Sequence, residues 1–237
     1  MNLAIRGPAG LVSHLALPSL GCRLGDISTM SDTAAAVSWL LMASASVPPV
    51  SRDALTHHLA LPKLFLEHGG IYEIPAIQFS YYPMNLDLLY MIPLYFGNDI
   101  IPKYIHFGFA LLTAYLIWGY LRKRLDTHYA LLGVLLFLTL PVIIKLSITV
   151  YVDLGLIFFS FAALIFLLKW INNAFAFKYL LISAMWCGLC LGTKYNGMVV
   201  FFLLSVFVVF MYARASAADG KNALKAIVPG AVFVGIA

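Results

Sequence analysis

Long apolar runs separated by short polar segments occupy most of the chain. The clearest runs predict helices at about 101–121, 128–144, 152–170, 178–193, 197–213 and 223–237, and a weaker run rich in Ala and Ser predicts another at about 33–47. An α-helix needs roughly 20 apolar residues to cross a bilayer core of about 30 Å, whereas the strands of a membrane barrel alternate over about ten. The pattern therefore predicts an all-α, polytopic transmembrane helical bundle.

The polar segments divide the chain into a lead-in and a membrane domain. Residues 1–32 are mixed in polarity, and we interpret them as a cytoplasmic lead-in to a transmembrane domain over 33–237. The first extracytoplasmic loop is predicted at about 48–83. The next apolar run, 84–97, is short and contains Asp87 and Pro93, so it fits a re-entrant helix as well as a full span.

The first loop opens with a concentration of ionisable groups at 48–63. Two prolines end the preceding helix, and Ser51 is a suitable N-cap for a new one that starts at about Asp53. Pro62 either kinks this helix or starts a second short one. Its leucines recur at helical spacing, which is typical of a helix that lies on a membrane surface.

Composition agrees with a membrane protein and excludes a nucleic-acid partner. The chain is 62% hydrophobic and only 11% charged, with a mean hydropathy of +0.93, whereas soluble domains carry roughly 25% charged residues. The net charge of +5 comes from basic residues between apolar runs, where they set topology and meet anionic lipid headgroups. Cys187 and Cys190 lie within an apolar segment, so we interpret them as packing residues and not as a redox pair.

The basic loops predict the orientation of the bundle. They contain Arg122, Lys123, Arg124, Lys169, Lys178, Arg214, Lys221 and Lys225. By the positive-inside rule these loops are cytoplasmic. Asp53, Asp153 and Lys194 then share the opposite, extracytoplasmic face, each at or near the end of an apolar segment. Ionisable residues at membrane depth are costly and usually functional, so we expect the three to converge on one site.

Each of these residues has a functional and a structural interpretation. Asp53 suits a carboxylate that takes a proton from an attacking hydroxyl, and it also suits a favourable charge at a helix N-terminus. Asp153 has the same two interpretations at the start of its span. Lys194 lies between Gly192 and Gly197, where a tight turn and an ammonium group suit a phosphate, but a lysine there also suits snorkelling towards headgroups.

Two adjacent histidines add a metal-binding alternative. His57 and His58 point about 100° apart on a helix, so they do not both face one metal ion without help. A divalent metal held by one of them with Asp53, Glu67 or His68 remains an alternative. Our site prediction contains no metal ligand and treats Arg52, His57 and His58 as accessory residues.

Four short motifs give the chain a resemblance to polyprenyl-phosphate-dependent glycosyltransferases of the GT-C fold. These motifs are 52–59 (Arg-Asp-Ala-Leu-Thr-His-His-Leu), 82–86 (Tyr-Pro-Met-Asn-Leu), 151–153 (Tyr-Val-Asp) and 191–194 (Leu-Gly-Thr-Lys). The chain resembles the N-terminal part of the group that contains the bacterial aminoarabinose transferases and the protein O-mannosyltransferases. The similarity covers most of residues 30–237.

The resemblance implies a site and a reaction. Asp53 would be the catalytic base or acceptor-binding carboxylate, Asp153 the second acidic residue, and Lys194 a contact to the donor phosphate. Many members have two adjacent acidic residues in the first loop, whereas here Asp53 stands between Arg52 and Ala54. The implied reaction is inverting transfer of a hexose or pentose from a polyprenyl-phosphate donor to a hydroxyl of a lipid, glycan or protein.

The resemblance also implies a location, and rival functions remain open. The expected location is the bacterial inner (plasma) membrane, with the active site facing outside the cytoplasm. Family members are about twice as long, so we expect the 237-residue chain to be a fragment that is inactive alone. A transporter or lipid flippase that makes no bond is the main alternative, although the inverted repeat typical of transporters is not visible. A noncatalytic scaffold subunit is the third.

Overall fold

The chain folds as a bundle of helices, described for residues 24–218 and 226–237 in a computed structural model. The helices are α1 (Leu24–Ala45), α2 (Ala60–His68), α3 (Asn85–Tyr95), α4 (Ile101–Arg122), α5 (Thr127–Thr139), α6 (Pro141–Ser147), α7 (Asp153–Asn172), α8 (Phe177–Leu191), α9 (Gly197–Ala218) and α10 (Ile227–Ile236). A π-helical turn (Ala54–His58) precedes α2, and a 3-10 turn (Gln78–Tyr81) precedes α3. The predicted all-α class is confirmed.

Three helices within the described residues are long and apolar enough to cross a membrane. They are α4, α7 and the Gly197–Ala217 portion of α9. The pair α5 and α6 makes a fourth if it counts as one broken span. Helices α8 and α10 coincide with predicted spans but are shorter, with 15 and 10 residues. An α-helix rises about 1.5 Å per residue, so α8 is roughly 22 Å long.

The N-terminal helix differs from the predicted first span. Helix α1 begins at Leu24, so the last residues of the predicted lead-in continue directly into it. It is not among the helices that are apolar enough to cross a membrane, because its Ser and Thr residues and two aspartates lower its mean hydropathy. The lead-in before residue 24, Cys22, and the basic residues Lys221 and Lys225 lie outside the described residues.

The predicted span at 128–144 is broken. Helices α5 and α6 meet at an angle of 65° between Leu140 and Pro141. Pro141 occupies the first turn of α6, where its missing N–H is not needed, but a proline there ends the hydrogen-bond ladder of α5. The bend carries the segment after α6 back towards the start of α7.

The first loop contains the predicted short helices. The chain turns helical at Arg52, and α2 starts as a separate helix at Ala60 with Pro62 in its first turn. Helix α2 ends at Gly69, whose φ of 80° lies in the left-handed region that glycine adopts without strain. Helix α3 has 11 residues and a length of about 16 Å, which is half of a bilayer core.

The described helix ends form two groups, one at each end of the bundle, and only one group carries the cluster of basic residues. At the first end, which we call the site end, α1 and α8 finish and α4, α7 and α9 begin. At the opposite end, which we call the basic end, α4 and α7 finish and α5 and α8 begin. The basic end holds Arg122, Lys123, Arg124, Lys169 and Lys178. A packed cluster of buried residues that includes Leu59, Tyr90 and Val152 lies beneath the site end and joins α3, α7 and the first loop.

Candidate active site

Asp153 and Lys194 form an ion pair at the site end. Asp153 is the first residue of α7, and Lys194 follows the end of α8. Lys194 Nζ donates to Asp153 Oδ1 at 2.8 Å. The side chain of Lys194 is 37% exposed and that of Asp153 is 26% exposed, so both remain accessible to a ligand. The structure thus brings two of the three sequence-predicted charges into contact.

Asp53 is joined to the same region through a tyrosine. Tyr151 Oη donates to Asp53 Oδ2 at 3.1 Å, and Tyr151 lies two residues before Asp153. Ser51 Oγ is 3.0 Å from the same hydroxyl, so its side chain contacts Tyr151 instead of serving as the predicted helix cap. The Asp53 side chain is exposed. A carboxylate that is held on one side and open on the other is suited to contact a substrate.

A buried histidine, paired with a buried aspartate, packs against Tyr151. His58 Nδ1 and Asp87 Oδ1 are 2.7 Å apart, and both side chains are almost fully buried. Burial raises the pKa of the Asp87 carboxyl, and the hydrogen bond from His58 opposes this rise. The His58 ring also meets Tyr151 edge-on, with centroids 5.5 Å apart. Asp87 had no predicted site role, although an acidic residue within an apolar run is itself a signal of function.

His57 is placed differently from His58. Its ring stacks on Phe79 with centroids 4.2 Å apart and lies 4.0 Å from the His58 ring. Burial, followed by the neighbouring His58, lowers the pKa of His57 to about 4, so this ring is neutral at neutral pH. Asp53 raises the pKa of His57 and Lys194 lowers it, so both predicted charges are near enough to act on this ring.

The described residues offer no evident set of metal ligands. They contain no group of three His, Cys, Asp or Glu side chains that is suited to hold a metal ion. His58 is paired with Asp87, and His57 faces an aromatic ring. The predicted accessory residue Arg52 is exposed beside Asp53.

Two further motifs of the resemblance meet behind Lys194. The backbone N–H of Asn85 donates to the carbonyl of Gly192 at 2.9 Å. Within the turn after α8, the N–H of Gly197 donates to the carbonyl of Lys194 at 2.8 Å. The N–H of Gly197, one of the groups of this predicted phosphate-binding turn, is therefore used within the turn itself. Within the described part of the chain, no protein acceptor contacts the N–H groups of Lys194, Tyr195 and Asn196.

The turn that presents Lys194 depends on the absence of a side chain at Gly197. A Cβ there would lie 2.4 Å from the carbonyl oxygen of Cys190 and 2.7 Å from its carbon, which are backbone atoms that cannot rotate away. We expect Gly197→Ala to lower the free energy of unfolding by about 1–3 kcal/mol, as overpacking does elsewhere. Thermal unfolding in detergent measures this loss. Gly108→Ala, where a Cβ meets nothing within 4 Å, is the matched control, and equal stability of the two variants would contradict the close approach.

A buried histidine without a predicted site role positions the segment that bears Tyr151 and Asp153. His106 Nδ1 lies 3.1 Å from the carbonyl oxygens of both Leu146 and Thr149. Its Nε2 accepts the N–H of Leu154 at 3.0 Å. One neutral ring therefore joins α4 to both sides of the loop between α6 and α7. Its only sequence signal was a histidine inside an apolar helix.

The neighbouring residues of α4 hold the end of α1. Lys103 Nζ donates to the carbonyl of Val47, and Tyr104 Oη lies 2.6 Å from Ser46 Oγ. These contacts bring the start of the first loop to the site end.

Comparison with known proteins identifies a sequence family. The profile of the dolichyl-phosphate-mannose-protein mannosyltransferases matches residues 100–234. No curated protein and no solved structure matches the chain. The matched region includes Asp153 and Lys194, whereas Asp53, His58 and Asp87 precede it. Their connection to the matched region rests on the contacts of Tyr151 and of the buried cluster beneath the site end.

Proposed function

Because the chain belongs to the dolichyl-phosphate-mannose-protein mannosyltransferase family, we propose that it transfers a sugar from a polyprenyl-phosphate donor to a hydroxyl at the extracytoplasmic face. Members of this family are membrane glycosyltransferases that use such donors. The acceptor is a lipid, a glycan or a protein. The contact that carries this proposal is the hydrogen bond from Tyr151 to Asp53, because it brings an exposed carboxylate to the segment that also holds the ion pair of Asp153 and Lys194.

The proposed reaction is a single inverting displacement. The acceptor oxygen attacks the anomeric carbon of the sugar, and the bond from that carbon to the phosphate oxygen breaks. Asp53 takes the proton from the acceptor hydroxyl, and the polyprenyl phosphate leaves with the bonding electron pair. Positioned general bases contribute about 10²–10⁴-fold to rates of this kind.

Lys194 supplies the positive charge that the leaving phosphate needs. Its ammonium group already contacts Asp153, which keeps the flexible side chain in place. The N–H groups of Lys194, Tyr195 and Asn196 have no acceptor among the described residues. They support a phosphate-binding role for this turn, since backbone N–H groups and an ammonium ion together stabilise a phosphate. Arg52, which adjoins Asp53 and is exposed, is the second cation that we assign to the donor.

The buried pair of Asp87 and His58 holds this surface in place. Asp87 fixes the His58 ring through Nδ1, and the ring packs against Tyr151, the donor of the hydrogen bond to Asp53. Both residues thus act through Tyr151 and are positioning residues. No step of this mechanism is routed through a metal, because the histidines do not converge with a third ligand among the described residues.

The charge distribution supports an extracytoplasmic site. Arg122, Lys123, Arg124 and Lys169 lie at the end of the bundle opposite Asp53, and loops rich in Lys and Arg stay in the cytoplasm. We therefore assign the basic end to the cytoplasm and the site end to the outside. The membrane that we propose is the bacterial inner (plasma) membrane.

Removing the charge of Lys194 should weaken donor binding. We expect Lys194→Gln to raise the KM for the donor by about 10- to 100-fold, since a hydrogen bond to a charged group contributes about 1.5–3 kcal/mol. Kinetics of the complete gene product with a labelled polyprenyl-phosphate sugar measure this change. Lys63→Gln, which removes an exposed lysine of the first loop, is the control, and Lys194→Arg should restore part of the affinity. A donor KM unchanged in Lys194→Gln would remove Lys194 from the phosphate site.

One experiment separates the transferase from a transporter. Membrane vesicles carrying the complete gene product receive a polyprenyl phosphate with a radiolabelled sugar, and two products are followed: label covalently attached to an acceptor, and intact donor on the opposite leaflet. Covalent attachment supports the proposal. Movement of intact donor without attachment would replace it with a transporter or flippase.

A further inference from the structure

The basic end contains a cavity that is separate from the candidate active site. It has a volume of about 490 Å³ and lies between the last turns of α4 and α7. Its lining includes Trp118, Tyr120, Arg122, Lys123, Arg124 and Lys169. Helix α4 has 22 residues, which places this cavity about 30 Å from the site end. A ligand here is therefore not the sugar donor bound beside Asp53.

Among the residues that the structure describes, no carboxylate forms an ion pair with the cations of this cavity. Among the described residues the ion pairs join His58 to Asp87, His128 to Asp126 and Lys194 to Asp153, so none includes Arg122, Lys123, Arg124 or Lys169. Asp126 is the nearest acidic residue along the chain. Its Oδ1 accepts the N–H of Tyr129 as the cap of α5, and it lies 3.7 Å from His128.

Aromatic rings hold three of the cations. The Arg124 guanidinium lies 3.9 Å from the centre of the Tyr120 ring, and the Arg122 guanidinium lies 4.8 Å from the Trp118 ring. Lys169 Nζ is 4.3 Å from the Phe166 ring. Each contact orders a long side chain before any ligand binds. Trp and Tyr also favour the headgroup level of a membrane, which is the depth expected for this cavity.

The remaining wall of the cavity is apolar. This wall extends from the cations towards the middle of the spans and is formed by Leu116 on α4 and by Ile165 and Leu168 on α7. A free phosphate ion would make no favourable contact with this apolar wall. A phospholipid has a phosphate at one end, which suits the cations, and acyl chains at the other, which suit the wall. Basic pockets between membrane helices are known as a mode of binding for anionic lipid headgroups.

We propose that this cavity binds one anionic glycerophospholipid. Its phosphodiester contacts Arg124 and Lys169, with Arg122 and Lys123 beside it, and an acyl chain lies along Leu116 and Ile165. The lipid joins the ends of α4 and α7 at the face opposite the candidate active site. This inference does not depend on the proposed glycosyl transfer.

Native mass spectrometry of the full chain tests the proposal. The purified protein in detergent is mixed with equal amounts of phosphatidylglycerol and phosphatidylcholine, and the bound lipid is counted. The native protein should retain phosphatidylglycerol preferentially. Arg124→Gln with Lys169→Gln should reduce this preference about 10- to 30-fold, since each basic residue near an anionic headgroup contributes about 1 kcal/mol.

A second pair of substitutions controls for charge alone. Lys178→Gln with Arg214→Gln removes the same charge from exposed residues that do not line the cavity, and it should leave the preference within about twofold of the native protein. If the first pair does not give a folded protein by size exclusion, Arg122→Gln with Lys123→Gln takes its place with the same expected loss.

Three outcomes would overturn the proposal. Equal losses in both pairs would mean that the lipid responds to diffuse charge and not to this cavity. No preference in the native protein would mean that no such site exists. Displacement of the bound lipid by about 10 mM inorganic phosphate, but not by sodium chloride of the same ionic strength, would assign the cations to free phosphate.

Discussion

Asp53→Asn should slow sugar transfer by the complete gene product, lowering kcat by about 10²–10⁴-fold. An amide is nearly the same size as a carboxylate and still accepts the hydrogen bond from Tyr151, so the geometry of the first loop is retained. The amide does not accept a proton from the acceptor hydroxyl. Initial rates with a labelled polyprenyl-phosphate sugar, at matched amounts of protein in the membrane, measure the loss.

Two variants keep this result interpretable. Asp126→Asn changes an exposed aspartate at the opposite end of the bundle and should leave the rate near the native value. Tyr151→Phe keeps the carboxylate but removes its hydrogen-bond donor, so its rate should fall by less than that of Asp53→Asn. If Asp53→Asn turns over as fast as the native enzyme, Asp53 is not the base, although the transferase class would stand.

Asp87→Leu should produce the largest loss of stability among substitutions in the candidate site. It leaves the buried His58 ring without its partner at Nδ1, and breaking a buried pair by removing one member typically costs about 3–5 kcal/mol. Asp87→Asn should cost less, because burial already raises the pKa of this carboxyl and an amide retains a hydrogen-bonding oxygen. Unfolding in mixed detergent, followed by circular dichroism, measures both losses.

A double-mutant cycle shows whether the loss belongs to the pair. His58→Leu combined with Asp87→Leu should be more stable than the sum of the two single losses predicts, because the double variant leaves no unpaired polar group. Asp32→Leu, at an exposed aspartate of α1, is the control and should have little effect. Strictly additive losses would mean that the contact of 2.7 Å between His58 and Asp87 makes no energetic contribution.

The raised pKa of Asp87 also sets the sign of a pH effect. A carboxyl with a folded pKa above its unfolded value binds its proton more tightly in the folded protein. Its contribution to stability is therefore present at low pH and is lost as the pH rises through the folded pKa. His57 behaves oppositely, since its folded pKa of about 4 makes acidification from pH 6.5 towards 4 unfavourable to the fold.

Sequence alone determined the class, most helix positions and the end of the bundle at which Asp53, Asp153 and Lys194 lie. The predicted spans at 101–121 and 152–170 correspond to helices at Ile101–Arg122 and Asp153–Asn172. This agreement has a physical cause: backbone groups in a bilayer must be bonded within the segment, so a long apolar run is helical in any tertiary context. Charges that end such runs show in turn which helix ends share a face.

Other features followed from local rules only in part. Pro141 was visible in the sequence, but its effect on the span at 128–144 is a bend of 65° that hydropathy does not predict. The limits of α1 were also predicted incompletely, because a segment rich in Ala and Ser is helical without being strongly apolar.

Only the tertiary structure decided which side chains meet. Lys194 and Asp153 are 41 residues apart, and Tyr151 and Asp53 are 98 apart. His58 and Asp87, separated by 29 residues, gave no joint signal in the sequence. Spans such as α7 and α9 are apolar on all sides, so their sequences contain little information about which face packs against a neighbour. The rotation and tilt of each helix come from packing, and they determine the partners of Asp53, Asp87 and Lys194.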